Sequence, residues 1–329
     1  MKKICFILLS LLSATMIQAQ YREDTFFDLE NGDINLDTQV SALGESLDLQ
    51  VKLPHRAEDI AWSRVVYRVI DVRYKQNYQL YYPLTSEHRQ YKSLFNVMLY
   101  AIQQGMDVYE KSSDVGDIKP YFNLPPMPRE MIPTVLNTDR TGELGDGDIA
   151  TSEYMLLNYD STTQEMRFNN YSYKSFVRNQ LKFLIQEVIF FDVHYSRLFS
   201  QIVAIAPLHA DNATYYDGMP VMEALYGQIL FWLPFEPFRK YLAQQYIIPR
   251  GYNDIERTTF DEFFAKKLYS SYIVGASNVY DRMIPDYVPV PKKKDTGEID
   301  TEKYHENILK EQERIEKELL NFEQDLWEY

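Results

Sequence analysis

Five histidines, one cysteine and forty-eight carboxylates are the groups from which this 329-residue chain would have to build a reaction centre. His55, His88, His194, His209 and His305 are scattered. No H-E-x-x-H pair sits on a helix and no cysteine cluster supplements them, so zinc has no recognisable ligand set. His194 and His209 are expected at the ends of paired strands, which is too little for a metal. Glu143, Asp146 and Asp148 share a glycine-rich loop that offers oxygen ligands to calcium, but the loop lacks the later bidentate glutamate of an EF-hand. A nucleophile is equally hard to place. There is no G-x-S-x-G, "YSSYIVGASN" has no histidine beside it, and no glycine loop is shaped for phosphate. Carboxylate pairs for sugar hydrolysis need a cleft as well as proximity, and with forty-eight acids any pair chosen from the sequence carries no information. The expectation is no catalytic residue, no cofactor and no metal.

The elements that would position such groups begin after a leader. "MKKICFILLSLLSATMIQAQ" has a charged start, an apolar stretch too short to span a bilayer, and a small residue, Ala19, for cleavage. Residues 1–19 are therefore read as a signal peptide. Position 20 is not a cysteine, so the leader is not of the lipoprotein kind. Without Lys2 and Lys3 the chain carries 32 Lys+Arg against 48 Asp+Glu, a net charge of −16. That balance repels phosphate backbones and excludes a nucleic-acid partner. No later segment is apolar for long enough to cross a membrane. Cys5 leaves with the leader, and disulfides with it.

The rest is read as an α+β protein in two halves. Residues 20–50 are a polar, acidic arm. The first half, 51–118, has a strand near Val65–Tyr74, a turn at Lys75–Asn77, a returning strand, and a helix at 94–104 capped by Ser93 and closed by Gly105. Residues 119–150, with five prolines in "KPYFNLPPMPREMIP", are a linker or a long ordered loop. The second half, 151–287, contains two strands within 187–208 joined by "HYSR", a strand "QILFWLPF", and a short helix started by Pro237. A further helix after Thr259 has a Thr259/Glu262 capping box and an apolar face of Phe260, Phe263, Phe264 and Leu268. "SSYIV" follows as a strand, and Asp281–Arg282 forms a possible ion pair. After a linker at 288–300, residues 301–329 form an amphipathic helix. Its Ile308, Ile315 and Phe322 recur every seven residues, with Gln312, Leu319 and Leu326 four further on. That stripe packs either on its own domain or on a partner. Trp62, Ile308, Ile315, Leu319, Phe322 and Leu326 are the candidate partner-interface residues.

Four blocks, "AEDIAWSRVVYRVIDVRYKQNYQLYYP", "SLFNVMLYAI", "FFDVHYSRLFSQIVAIAPL" and "TTFDEFFAKKLYSSYIVGASNVYDR", resemble in order the GldN/PorN family of gliding-motility and type IX secretion proteins. The arm and the C-terminal helix resemble it less. The resemblance implies a non-enzymatic periplasmic subunit at the inner face of the outer membrane. It would form a ring of its own copies with the lipoprotein GldK/PorK and link to the inner-membrane motor protein GldM/PorM. A closed ring needs two different complementary patches on each subunit. The rival expectations are a peptidoglycan- or glycan-binding module, suggested by twenty-seven tyrosines and the leader, and a periplasmic hydrolase.

Overall fold

A computed structural model describes residues 39–40, 46–47, 55–83, 91–111, 121–137, 157–160, 162–163, 165–168, 181–209, 215–216, 219–220, 225–248, 258–278, 282–293 and 299–327. The leader, the loop 143–148 and Asp281 lie outside them.

Long runs of β-branched and aromatic residues make three long or central strands: β1 (Ile60–Asp71), β2 (Leu181–Asp192) and β3 (Arg197–His209). Shorter pieces complete an antiparallel sheet: β4 (Gln228–Ile229), β5 (Leu233–Pro234) and β6 (Tyr272–Ala276). The order is β4–β3–β2–β1–β6, with β5 also on β3. Strands from both sides of residues 119–150 thus build one sheet, with β1 paired to β2 on one edge and to β6 on the other. Residues 121–137 are themselves packed, with Tyr121, Leu124, Met127, Ile132 and Leu136 buried.

Directly opposed residues in an antiparallel pair share a face. Val66, Arg68 and Ile70 therefore lie with Glu187, Ile185 and Phe183 on one face, and Tyr67 and Val69 with Gln186 and Leu184 on the other. The second face packs on Tyr121, Leu124, Tyr226, Trp232 and Met283. The first face is covered twice. One end meets helices α1 (Tyr78–Tyr81), α2 (Leu94–Gln103), α4 (Phe235–Ala243) and α5 (Phe260–Ala265), with α3 (Met131–Asn137) adding Ile132 and Leu136. The other end meets α6 (Ile284–Tyr287) and the long α7 (Thr301–Trp327).

Local signals explain most boundaries. Ser93 accepts from the Asn96 amide and Thr259 from the Glu262 amide, capping α2 and α5. Gly105 follows α2 at φ +101°, a conformation that costs glycine little. The turn 193–196 joins β2 to β3 as expected. Several expectations need correction: "QILFWLPF" is two short strands, β4 and β5, and Leu268 lies beyond the end of α5 and is exposed. The returning strand after Asn77 is instead the helical turn α1, because buried Asn77 donates to the carbonyls of Asp71 and Ser270 and accepts from the Ser270 amide. Those bonds hold the chain tightly where a hairpin would have opened. The helix associated with Pro237 begins two residues earlier, at Phe235.

Candidate interaction surface

The inner charged groups of the molecule are paired with one another. His55 Nδ1 lies 2.6 Å from Asp192 Oδ2, donating to it, and both residues are buried. Asp192 Oδ1 also accepts from the His194 and Tyr195 amides, closing the hairpin turn. Burial pushes the Asp192 carboxyl up, but the His55 bond and the two amides outweigh it and hold it below the usual range. The imidazole packs edge-on against Phe190, Tyr195 and Phe199. His194 and His209 are at opposite ends of β3, since His209 pairs with Leu181 far from the turn that carries His194. The expectation that they approach each other is overturned by this register.

A second cluster sits where the two covers of the sheet meet. Glu187, buried at the centre of β2, accepts from Arg68 Nε at 2.9 Å, from Lys267 Nζ at 2.7 Å and from the Ser200 hydroxyl. Burial raises this carboxyl, while Lys267 and Arg68 and the bonds from Lys267 and Ser200 lower it further than burial raises it. Lys267 Nζ also donates to Ser200 Oγ at 2.6 Å. Lys267 thus bridges the Glu187 carboxylate and the Ser200 hydroxyl, and the trio anchors the sheet face. A third pair, Arg239–Asp261 at 2.7 Å, is buried between α4 and α5, and Glu236 also meets the guanidinium at 2.9 Å. Among the described residues, no three His, Cys, Asp or Glu converge as a metal site requires.

What remains for recognition is surface, and α7 supplies the most organised part of it. Its heptad stripe faces its own sheet. Tyr304, Ile308 and Ile315 are buried with Val66, Ile273, Ala276, Ile284 and Val288, and Leu319 packs partly against them. Gln312, the polar member of the stripe, donates to the Tyr226 hydroxyl at 3.4 Å. Trp62 and Phe322 are half-buried and face each other, ring centroids 4.3 Å apart, at the open end of β1. Of the candidate interface residues, Ile308 and Ile315 are thus occupied within the fold. Trp62, Leu319 and Phe322 lie at its partly open rim, and the Leu326 side chain lies outside the description.

The exposed surface of α7 is sorted by charge. Lys303, Asn307, Lys310, Arg314, Lys317 and Asn321 follow alternate steps of four and three, so they form one stripe along the helix. Glu302, Glu306, Leu309, Glu313, Glu316, Leu320 and Glu323 follow the same steps on the other shoulder, where Leu309 and Leu320 are 59% and 53% exposed. Glu306–Lys310 and Glu313–Lys317 link the stripes, and Arg314 bonds Glu311 and Glu318. The basic stripe flanks a groove of about 430 Å³ between Tyr287–Pro289 and residues 307–314. Both charged stripes are written in the sequence at the same spacing as the apolar one, whereas His55–Asp192 spans 137 positions and leaves no sequence signal.

Fold and surface together define an α+β protein whose buried charges, among the described residues, are paired within the fold at Asp192, Glu187 and Asp261, with a charge-sorted helix on its outside. The chain belongs to the GldN family of gliding motility associated proteins, matched over residues 55–328. No curated protein matches it. No described helix is long and apolar enough to cross a membrane.

Proposed function

We propose that the protein is a structural, non-enzymatic component of the gliding-motility and type IX protein secretion apparatus. It works in the periplasm at the inner face of the outer membrane, where its copies form a ring with the lipoprotein GldK/PorK and link it to the inner-membrane motor protein GldM/PorM. Membership of the GldN family over residues 55–328 carries this reading. The saturated pairing of Glu187, Asp192 and Asp261 fits it, because those groups serve the fold. The rim at Trp62 and Phe322 and the shoulder of α7 that carries Leu309 and Leu320 are the surfaces assigned to assembly.

The test is the mass of residues 20–329 by light scattering after size exclusion, alone and with the lipoprotein. A defined, larger complex with the lipoprotein is expected. Absence of any complex across a range of salt, together with sedimentation on purified cell wall, overturns the reading in favour of glycan binding.

A further inference from the structure

The basic stripe of α7 is unusual in a chain of net charge −14. Lys303, Lys310, Arg314 and Lys317 point to one side, and Lys292 and Lys293 stand exposed beside the helix start, where Lys292 pairs with Ile299 across the turn into α7. The groove beside the stripe has an apolar and aromatic floor, Tyr287, Val288 and Pro289. Acids already touch several of these cations: Glu311, 19% exposed, lines the groove and binds Arg314 and the Tyr287 hydroxyl, whereas Glu306, Glu313 and Glu318 are each half-exposed or more, and their pairs hold weakly and exchange readily. The site therefore suits an extended, acidic segment that also carries apolar rings.

One such segment is in the chain itself. Residues 21–37, "YREDTFFDLENGDINLD", contain six acids, Glu23, Asp24, Asp28, Glu30, Asp33 and Asp37, against Arg22 alone, with Phe26, Phe27 and Leu29 among them. The point from which the arm departs is fixed, because His55 is buried and bonded to Asp192. That point lies at the end of the sheet that carries Trp62, but on the opposite face from Phe322, since His55 packs on Phe190 and Phe199, so the arm rounds that end to reach α7. From Phe322 the groove is 8 to 15 residues back along α7, about 12–22 Å at the helical rise. Within the tether Gln39–Val40 pairs with Ser46–Leu47, and the residues between Leu47 and His55 reach up to ~25 Å when extended, which spans the near end of the groove.

We infer that the acidic arm, residues 21–37, docks along the basic stripe of α7 in its own chain, its aromatic residues in the groove of Tyr287, Val288 and Pro289. Tethering favours the chain's own arm over a neighbour's, since a short tether holds its segment at high effective concentration. The contact does not depend on the assembly reading and is measured on the purified chain alone.

After removal of the leader the chain has no cysteine, so Asn307→Cys in residues 20–329 gives one unique attachment point for a benzophenone photo-cross-linker. Cross-links to residues 21–37 are expected, at the mass of a single chain. The triple variant Lys303→Glu, Lys310→Glu, Lys317→Glu, carrying the same label, should lose about tenfold in that yield at low salt. Its thermal unfolding midpoint should fall only slightly, because all three side chains are exposed and the change loses only the weak Glu306 and Glu313 pairs. A yield that the charge reversal leaves unaltered overturns the inference, as do cross-links to other segments or none. Cross-links at twice the chain mass overturn the assignment to the chain's own arm.

Discussion

Two helical covers share one face of the sheet and hold it on different terms. At one end α2, α4 and α5 bury Phe95, Phe238, Phe260 and Phe263 against Ile70, Phe183, Ile185 and Phe231, and α4 and α5 lock together through a buried arginine and aspartate. At the other end α7 contributes one narrow stripe, and its sides carry charge into solvent. The first cover gains from a broad face of each helix, so its polar pair is internal. The second gains from a single row, so its exposed shoulders are free to be sorted for recognition. A helix that can serve a surface is one that the core does not fully claim.

The largest effect that tests this contrast falls at the first cover. Asp261→Ala strands the Arg239 guanidinium, 2% exposed, without its main counter-charge, and is expected to cost about 3–5 kcal/mol in urea unfolding. Replacing both partners together, Arg239→Met with Asp261→Leu, should cost far less, because no unpaired charge is left in the core. At the second cover Ile315→Ala is expected to cost about 2–4 kcal/mol, since Ile315 is 2% exposed. Native-state hydrogen exchange sharpens the comparison: amides of α7 should open at lower free energy than those of α2. Equal protection in the two helices would show that both covers unfold as one body, and the contrast would fail.

The sequence carries the local half of this architecture. Ser93 and Thr259 cap the helices their spacing predicts, the turn at 193–196 stands where the two apolar runs meet, and the α+β class is correct. Caps and turns are settled within a few residues, so they can be read from a few residues. What decided the rest acts across the chain. Asn77 binds Ser270, 193 positions away, and that bond selects a helical turn where alternation in "YQLYY" suggests a strand. The placing of β1 between β2 and β6 likewise follows from pairing partners more than 100 residues away. For α7 the stripe was legible but not its target, because a row of Ile308, Ile315 and Phe322 fits its own sheet as well as a neighbour.

Two carboxylates extend the comparison to pH. Burial pushes Asp286, at the start of α6 under the second cover, from 3.8 up to about 6, with the Met283 amide and Arg282 opposing. A raised carboxyl favours the folded state while protonated. Its contribution is therefore full below pH ~4 and lost as pH rises through about 6. Glu187, at the junction of the two covers, is lowered instead, so its contribution is present above pH ~4.3 and lost as the solution is acidified through its folded value. Asp286→Asn should flatten the fall in stability between pH 4 and 6, since the amide oxygen still accepts from the Met283 amide. Glu187→Gln should remove the acid-side loss and lower stability at neutral pH, where Arg68 and Lys267 lose their shared partner. Matching slopes in wild type and Asp286→Asn, measured by urea unfolding across that range, would remove Asp286 from the account.

The smallest effect is the most discriminating. Arg64 on β1 meets Glu318 on α7 at 3.2 Å, with side chains 20% and 50% exposed. If apolar packing holds α7, this pair adds little, and a double-mutant cycle of Arg64→Ala with Glu318→Ala should give a coupling of about 0.2–1 kcal/mol that fades with salt. The cycle is needed because Glu318 also accepts from Arg314 Nη1, so the single variant removes two bonds and overstates the one across the interface. A coupling above about 2 kcal/mol that survives high salt would mean that charge fastens α7 to the sheet. The edge of α7 that carries Glu318, beside Arg314 of the basic stripe, would then belong to the fold, leaving the row of Leu309 and Leu320 as the surface of α7 open to recognition.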